Sequence, residues 1–438
     1  MAFPSKLRLW GIGGVGMSAL AHHFHRLGHE VTGYDREASP LTDRLRSKGI
    51  PIDFSPAPWR VEEAQGVVYT PAIPADFPEW EPVRRLKQPT WRRGQALAQV
   101  VADREVLAVA GAHGKTTTTA IVAWLLQALG AQPLAFIGGV ARNFDSTYVG
   151  GDGPWAVVEA DEYDRAMLLL SPAHAIIQSV DPDHLEVYGS PEGVLQAYRQ
   201  FAAQVKGLCV AAQSVPDLGR PLLRYTLETY QARGREVEFV YRSEGRRRTV
   251  VWTQIGRHFA ENAAAALSLL EALGWDFSRL QEALASFAGV ERRLELYELS
   301  EEYFVVSDYA HHPVEVRRTI QALRESFPTH RIVVAFQPHL YSRTAFFAKD
   351  FAQALSLADA VVLFPIYAAR ESSTPAVTSK LIFQHLKVPA QEHLSLTLDM
   401  EALSAYLNKK PVGLVFLGAG DIYRLVPEAV AYFRDWLV

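Results

Sequence analysis

Short apolar runs separated by glycine turns and amphipathic stretches recur along the chain. Residues 7–10 read as a strand that leads into Gly11-Ile12-Gly13-Gly14-Val15-Gly16, then a helical stretch over 17–27, then a second strand over 30–34 that ends at Asp35. Strand, turn, helix, strand is the order of a βαβ unit in a parallel sheet. A further alternation begins at Gly49-Ile50-Pro51, and 66–70 reads as a strand entering a connection that holds Pro71, Pro74 and Pro78. The pattern restarts at 106–110, followed by a second glycine turn, an apolar helix to Leu129, and strands at 156–158 and 175–177. Alternation over 236–241 and 249–252 predicts peripheral strands, and the small apolar residues of 258–273 predict a tightly packed helix. A third alternation runs through strand 303–306, a helix to Leu323, strand 331–336, helix 345–355, and strands 360–364 and 413–417.

Three such blocks fit a length of 438 residues, which is too long for one core. The expected domains are 1–103, 104–290 and 291–438. With 44 basic and 48 acidic residues the formal charge is −4, which argues against nucleic acid as a partner. The single cysteine, Cys209, excludes an internal disulfide and a cysteine-rich metal site, and reads as a buried apolar residue. No apolar run reaches the length of a membrane span, and the opening ten residues lack a secretory signal pattern, so no membrane insertion and a cytoplasmic location are expected. Arg246-Arg247-Arg248 reads first as a solvated hairpin.

The candidate chemistry lies at the two turns. In a GxGxxG turn at a helix start, backbone N–H groups approach a phosphate, so Gly13, Gly14, Val15 and Gly16 are candidate ligand contacts. Asp35 lies 19 residues beyond Gly16, a spacing that suits a carboxylate on a ribose hydroxyl. The turn alone does not separate NAD, FAD and a uridine nucleotide. The second turn is Gly111-Ala112-His113-Gly114-Lys115-Thr116-Thr117, between a strand and a helix. It is shorter than the usual phosphate loop, yet Lys115 is still placed against the β and γ phosphates of ATP and the Thr116 oxygen against Mg2+. Glu159 and His184 would complete an oxygen and nitrogen shell for the metal.

Four regions together resemble the Mur ligase family: Gly11 to Ser18; Gly111 to Thr119; Glu159-Ala160-Asp161-Glu162-Tyr163-Asp164; and Asp308-Tyr309-Ala310-His311-His312-Pro313 with Gln337-Pro338-His339. The resemblance implies an α/β chain of three domains: an N-terminal Rossmann-like UDP-binding domain, a central P-loop ATPase-like domain and a C-terminal Rossmann-like domain. It implies ATP-dependent ligation of L-alanine to UDP-N-acetylmuramate through an acyl phosphate, by a monomer or homodimer. In that reading Lys115, Glu159 and His184 are catalytic, and Gly111, His113, Gly114, Lys115, Thr116, Thr117, His258 and Asn262 hold ATP. Thr116, Glu159 and His184 hold Mg2+. Gly13 to Gly16, Asp35, His113, Tyr309, His311, His312 and Arg343 meet the other substrates.

Ser179, Phe259, Ser307 and Leu340 depart from the family's pattern. Asn262 is placed to preserve part of the recognition that Phe259 cannot make, and Arg343 to supply the guanidinium that Leu340 lacks. Two other functions stay open: a relative that attaches a preformed tripeptide, and a UDP-sugar sensor without ligation. Lys115→Ala is expected to lose ligation with little loss of folded protein.

Overall fold

The fold was obtained as a computed structural model that describes residues 3–181, 185–369, 371, 372, 376–392, 406, 407 and 410–435. Three sheets follow one another along the chain. The first contains β1 (Lys6–Trp10), β2 (Glu30–Tyr34), β3 (Ile52–Asp53), β4 (Gly66–Tyr69) and β5 (Thr90–Arg92), in the order β3-β2-β1-β4-β5. All pairings are parallel. Leu7 to Trp10 are all buried, and the one charge among them, Arg8, is met by Glu79 at 2.8 Å and Asp53 at 2.7 Å. Because β1 lies between β2 and β4, its carboxyl end is a switch point in strand order, where open α/β sheets bind ligands.

The second sheet has nine strands: β6 (Glu105–Ala110), β7 (Leu134–Ala141), β8 (Ser146–Gly150), β9 (Trp155–Glu159), β10 (His174–Ile177), β11 (Cys209–Ala212), β12 (Leu223–Arg233), β13 (Glu236–Ser243) and β14 (Arg246–Trp252). Their order is β14-β13-β12-β11-β10-β6-β9-β7-β8. Strand β6 sits between β10 and β9 and pairs in parallel with both, so a second switch point lies at Ala110. Neither the β7–β8 hairpin nor β12 is foreseen from the sequence. In β7 the run LAFIGGVA carries Gly138 and Gly139 in its middle, which hides its strand character, while the far half of β12, from Glu228 to Arg233, is mostly polar.

The third sheet holds β15 (Glu295–Glu298), β16 (Tyr303–Asp308), β17 (Arg331–Phe336), β18 (Ala360–Leu363), β19 (Ala390–Glu392) and β20 (Val412–Leu417), in the order β15-β16-β20-β17-β18-β19. Edge strand β15 is antiparallel, the others parallel.

Two compact units result. One contains 1–228, 240–248 and 261–288; the other contains 229–239, 249–260 and 289–438. In the first unit, the first two sheets feed one continuous apolar cluster that joins Leu7, Leu9 and Phe24 to Val106, Phe136 and Val158. A polar seam runs beside it. From helix Val15–Arg26, Ser18 meets Thr147 at 3.3 Å, His23 meets the Tyr148 hydroxyl at 3.0 Å and Arg26 pairs with Asp152 at 2.9 Å. Arg44 pairs with Asp145 at 2.9 Å. The second unit has its own core around Val305, Val333 and Leu414. Cys209 is buried, and burial pushes its thiol up to about 11, in keeping with an inert packing residue. The basic run on β14 is spent on ion pairs, Arg246 and Arg248 with Glu271 and Arg247 with Glu228. Among the described residues no helix is long and apolar enough to cross a membrane.

Candidate active site

Each glycine turn of the first unit stands at a switch point. After β1, Gly11 takes a positive φ of 76° so that the chain can turn sharply into helix Val15–Arg26. After β6, Gly111 and Gly114 have φ of 137° and 81°, and helix Lys115–Ala128 begins at once. Both helices therefore present first-turn N–H groups at the carboxyl edge of a sheet. Buried Asn262 stands so close to Gly114 that a β-carbon there would collide with its amide oxygen. Thr117 is buried on the first turn of the same helix. The His113 N–H donates to the Ser179 hydroxyl at 3.3 Å, and the His113 ring lies 3.9 Å from Asp181. Ser179, though it departs from the family's pattern, thus supports the loop.

The segment after β9 arranges the charge. Glu159 ends the strand, and its Oε2 accepts from the Thr116 hydroxyl at 2.9 Å. Room for that carboxylate exists because β7 carries glycine at 138, where any β-carbon would fall inside it. Glu162 accepts from Lys115 Nζ at 2.8 Å, and Lys115 also donates to the Gly111 carbonyl at 2.8 Å. Burial works against the Lys115 ammonium, but the carboxylates of Glu162, Glu159 and Asp161 outweigh it and hold its pKa above the ordinary lysine value. The lysine is therefore a fixed cation at the second glycine turn. Asp161 faces the other way and accepts from Arg93 Nη2 at 2.8 Å. In front of the first glycine turn lies a cavity of about 280 Å³, lined among others by Gly14, Gly16, Phe136, Arg93, Glu159 and Asp161.

Asp35, just after β2, accepts the Gly13 N–H through Oδ2 at 2.7 Å and the Arg36 N–H through Oδ1 at 2.8 Å, which holds its carboxylate at the turn. His184 lies outside the described residues.

In the second unit, His258 is on the first turn of helix Arg257–Ala272, with its ring 4.5 Å from that of Phe259. The loop after β16 gathers Tyr309 and His311, with ring centroids 5.2 Å apart and His339 at 5.8 Å from His311. Burial lowers the His311 pKa; Glu315 opposes the shift and Arg343 adds to it, so Arg343 acts on this cluster. His312 heads helix Pro313–Ser326, where its Nδ1 accepts from the Val314 N–H at 3.4 Å in a capping box with Glu315. Asp308 is buried and accepts from Leu294, Ala310 and Thr319, which fixes the loop's base.

Sequence reading missed Arg93 and Gly138 and gave no individual task to Asp161 or Glu162. None of them carries a spacing signature; only the approach of β7, β9 and the segment after β5 reveals them.

Comparison with known proteins adds the following. Residues 6–105 match the family model described as Mur ligase family, catalytic domain; residues 109–215 match the Mur ligase middle domain; and residues 292–420 match the Mur ligase, glutamate ligase domain. The chain is 37% identical to a UDP-N-acetylmuramate–L-alanine ligase of Porphyromonas gingivalis, with 97% of this chain and 98% of that one covered. It is 36% identical to a protein of the same name from Rubrobacter xylanophilus, with 97% and 99% covered. The crystal structure of UDP-N-acetylmuramate-alanine ligase from Thermotoga maritima superposes with a TM-score of 0.86 at 31% identity, covering 98% and 99%. A murein peptide ligase from Psychrobacter arcticus shares the fold, with a TM-score of 0.71 at 22% identity over 98% and 99%.

Proposed function

This chain belongs to the Mur ligase family, and from that premise we propose that it joins L-alanine to UDP-N-acetylmuramate at the expense of ATP, as a step of peptidoglycan precursor synthesis in the cytoplasm. The observation that carries the reading is the charged Lys115 at the second glycine turn, together with Glu159, which accepts from Thr116 of that turn and also lines the cavity in front of the first. The substrate carboxylate becomes an acyl phosphate, which the amine of L-alanine then captures with release of phosphate. Both steps bring anions together, so the protein's task is electrostatic.

Lys115 neutralises the transferring phosphoryl group. Gly111 to Thr117 supply backbone donors to the phosphates, with Asn262 packed against the loop and His258 assigned to the nucleotide. The Thr116 hydroxyl and Glu159 carboxylate, 2.9 Å apart and made of hard oxygen donors, fit Mg2+, which would supply Lewis-acid polarisation of the phosphate. His184 is assigned to a second Mg2+ near the substrate carboxylate. Gly13 to Gly16 and His113 face the sugar nucleotide, and Tyr309, His311 and Arg343 are assigned to the amino acid.

The tripeptide-adding alternative is weakened by the lower similarity to the Psychrobacter arcticus structure, and a sensor would not need the buried Lys115–Glu162 pair. Purified protein with ATP, Mg2+ and UDP-N-acetylmuramate should release phosphate when L-alanine is added and yield the matching amide by mass spectrometry. Release only with tripeptide would assign the chain to the other ligase, and binding without product from either would make it a sensor.

A further inference from the structure

The first glycine turn has already committed most of its donors. The N–H groups of Gly11 and Ile12 bond to the Tyr34 carbonyl at 2.7 and 3.0 Å, that of Gly13 to Asp35 at 2.7 Å, and that of Gly14 to the Gly11 carbonyl at 3.0 Å. What remains at this end is the first helical turn, Val15, Gly16 and Met17, whose N–H groups have no intrahelical acceptor. The cavity in front of them holds two carboxylates, Glu159 and Asp161, and among the described residues that line it Arg93 is the one cation. A ligand with two negative phosphates would enter a negative site unless that cation met it.

Arg93 is placed to do so. It opens helix Arg93–Val100 directly after β5, and its side chain crosses the glycine turn so closely that a β-carbon on Gly16 would lie 3.0 Å from both its Cδ and its Nη1. Its aim is set from the middle segment: Asp161 Oδ2 holds Nη2 at 2.8 Å, and Asp161 is itself fixed by the Tyr163 N–H at 3.1 Å and the Met167 N–H at 2.8 Å. A guanidinium has five donors in a rigid fork and can hold this carboxylate and a phosphate oxygen together, which a lysine does poorly.

We propose that Arg93 is the counter-ion of the sugar nucleotide's diphosphate and that Asp161 is the positioning residue that aims it over the glycine turn. This rests on the reading of that turn as the sugar-nucleotide site. The diphosphate site then takes its backbone donors and its cation from the N-terminal segment, and the orientation of that cation from the middle segment.

Titration of the full-length protein with UDP, uridine and ADP tests it. Arg93→Ala should weaken UDP binding at least tenfold while uridine and ADP stay within twofold, and Arg93→Lys should lose less than Arg93→Ala. Asp161→Asn should alter UDP affinity several-fold in the parent and within twofold in the Arg93→Ala background, because it acts through the arginine. Equal losses for UDP and uridine would show a structural role for Arg93 and overturn the proposal. An Asp161→Asn effect that is the same in both backgrounds, or absent from both, would remove Asp161 from it. Failure of the parent protein to bind UDP would instead overturn the underlying reading of the turn, and the proposal with it.

Discussion

Lys115 shows how a residue can be identified from sequence and still be misjudged in energy. Its place after Gly114 and before Thr116 marks it as a phosphate cation, and the expectation follows that truncation costs activity alone. The structure revises this. Glu162 is 3% exposed and receives the lysine at 2.8 Å, so removing one partner strands the other inside the protein. Lys115→Ala is expected to abolish ligation and also to lower the unfolding free energy by about 3 kcal/mol. Adding Glu162→Gln should restore most of that stability and none of the activity. Urea unfolding of the two variants decides the matter: a single variant as stable as the parent would mean that Glu162 bears no buried charge needing the lysine. Asp35 and His312 carry a second task that their residue types do not announce, since each also accepts from a backbone N–H, of Gly13 and of Val314.

At the scale of elements, the helices and strands that follow glycine turns are legible, because a strand buried on both faces leaves an apolar run and the turn leaves glycines. The hairpin β7–β8 is not, since two mid-strand glycines erase its pattern, and with it goes the floor of the cavity. Helix Val15–Arg26, which packs on that hairpin through His23 and Tyr148, carries a pH response. Burial, then Arg26, His29 and Arg104, push the His23 imidazole down to about 4, with Asp103 opposing, while its unfolded value is near 6.5. The folded form thus holds His23 neutral where the unfolded chain protonates. Its contribution is fully present above pH 6.5 and is lost as the pH falls toward 4, to a limit of about 3 kcal/mol. Thermal unfolding across that window should fall more steeply in the parent than in His23→Gln. Parallel curves would show that the seam between helix Val15–Arg26 and β8 does not sense this proton.

For the whole molecule, chain order and compactness diverge. The chain passes between its two compact units five times, and segments 229–239 and 249–260 belong with 289–438. Within that second unit Gly234 donates to the Ser326 carbonyl at 2.8 Å and Arg235 pairs with Glu298 at 3.5 Å. Sequence periodicity reports local order and carries no trace of such interleaving, because every one of these partners is remote in the chain. A split at residue 290 should therefore yield pieces that copurify when coexpressed, while 1–290 made alone unfolds at lower temperature than the pair. Two independently cooperative, non-associating pieces would overturn this.

The seam inside the first unit has a consequence for inheritance. Ser18 with Thr147, His23 with Tyr148, Arg26 with Asp152, Arg44 with Asp145 and Arg93 with Asp161 each join a residue from the first sheet's segment to one from the second's. A recombination event that exchanged residues 1–105 between relatives would separate all five pairs at one crossover. The two halves of this unit are therefore expected to be exchanged together, and a chimera with both sides of the seam from one parent should unfold at higher temperature than one that splits it.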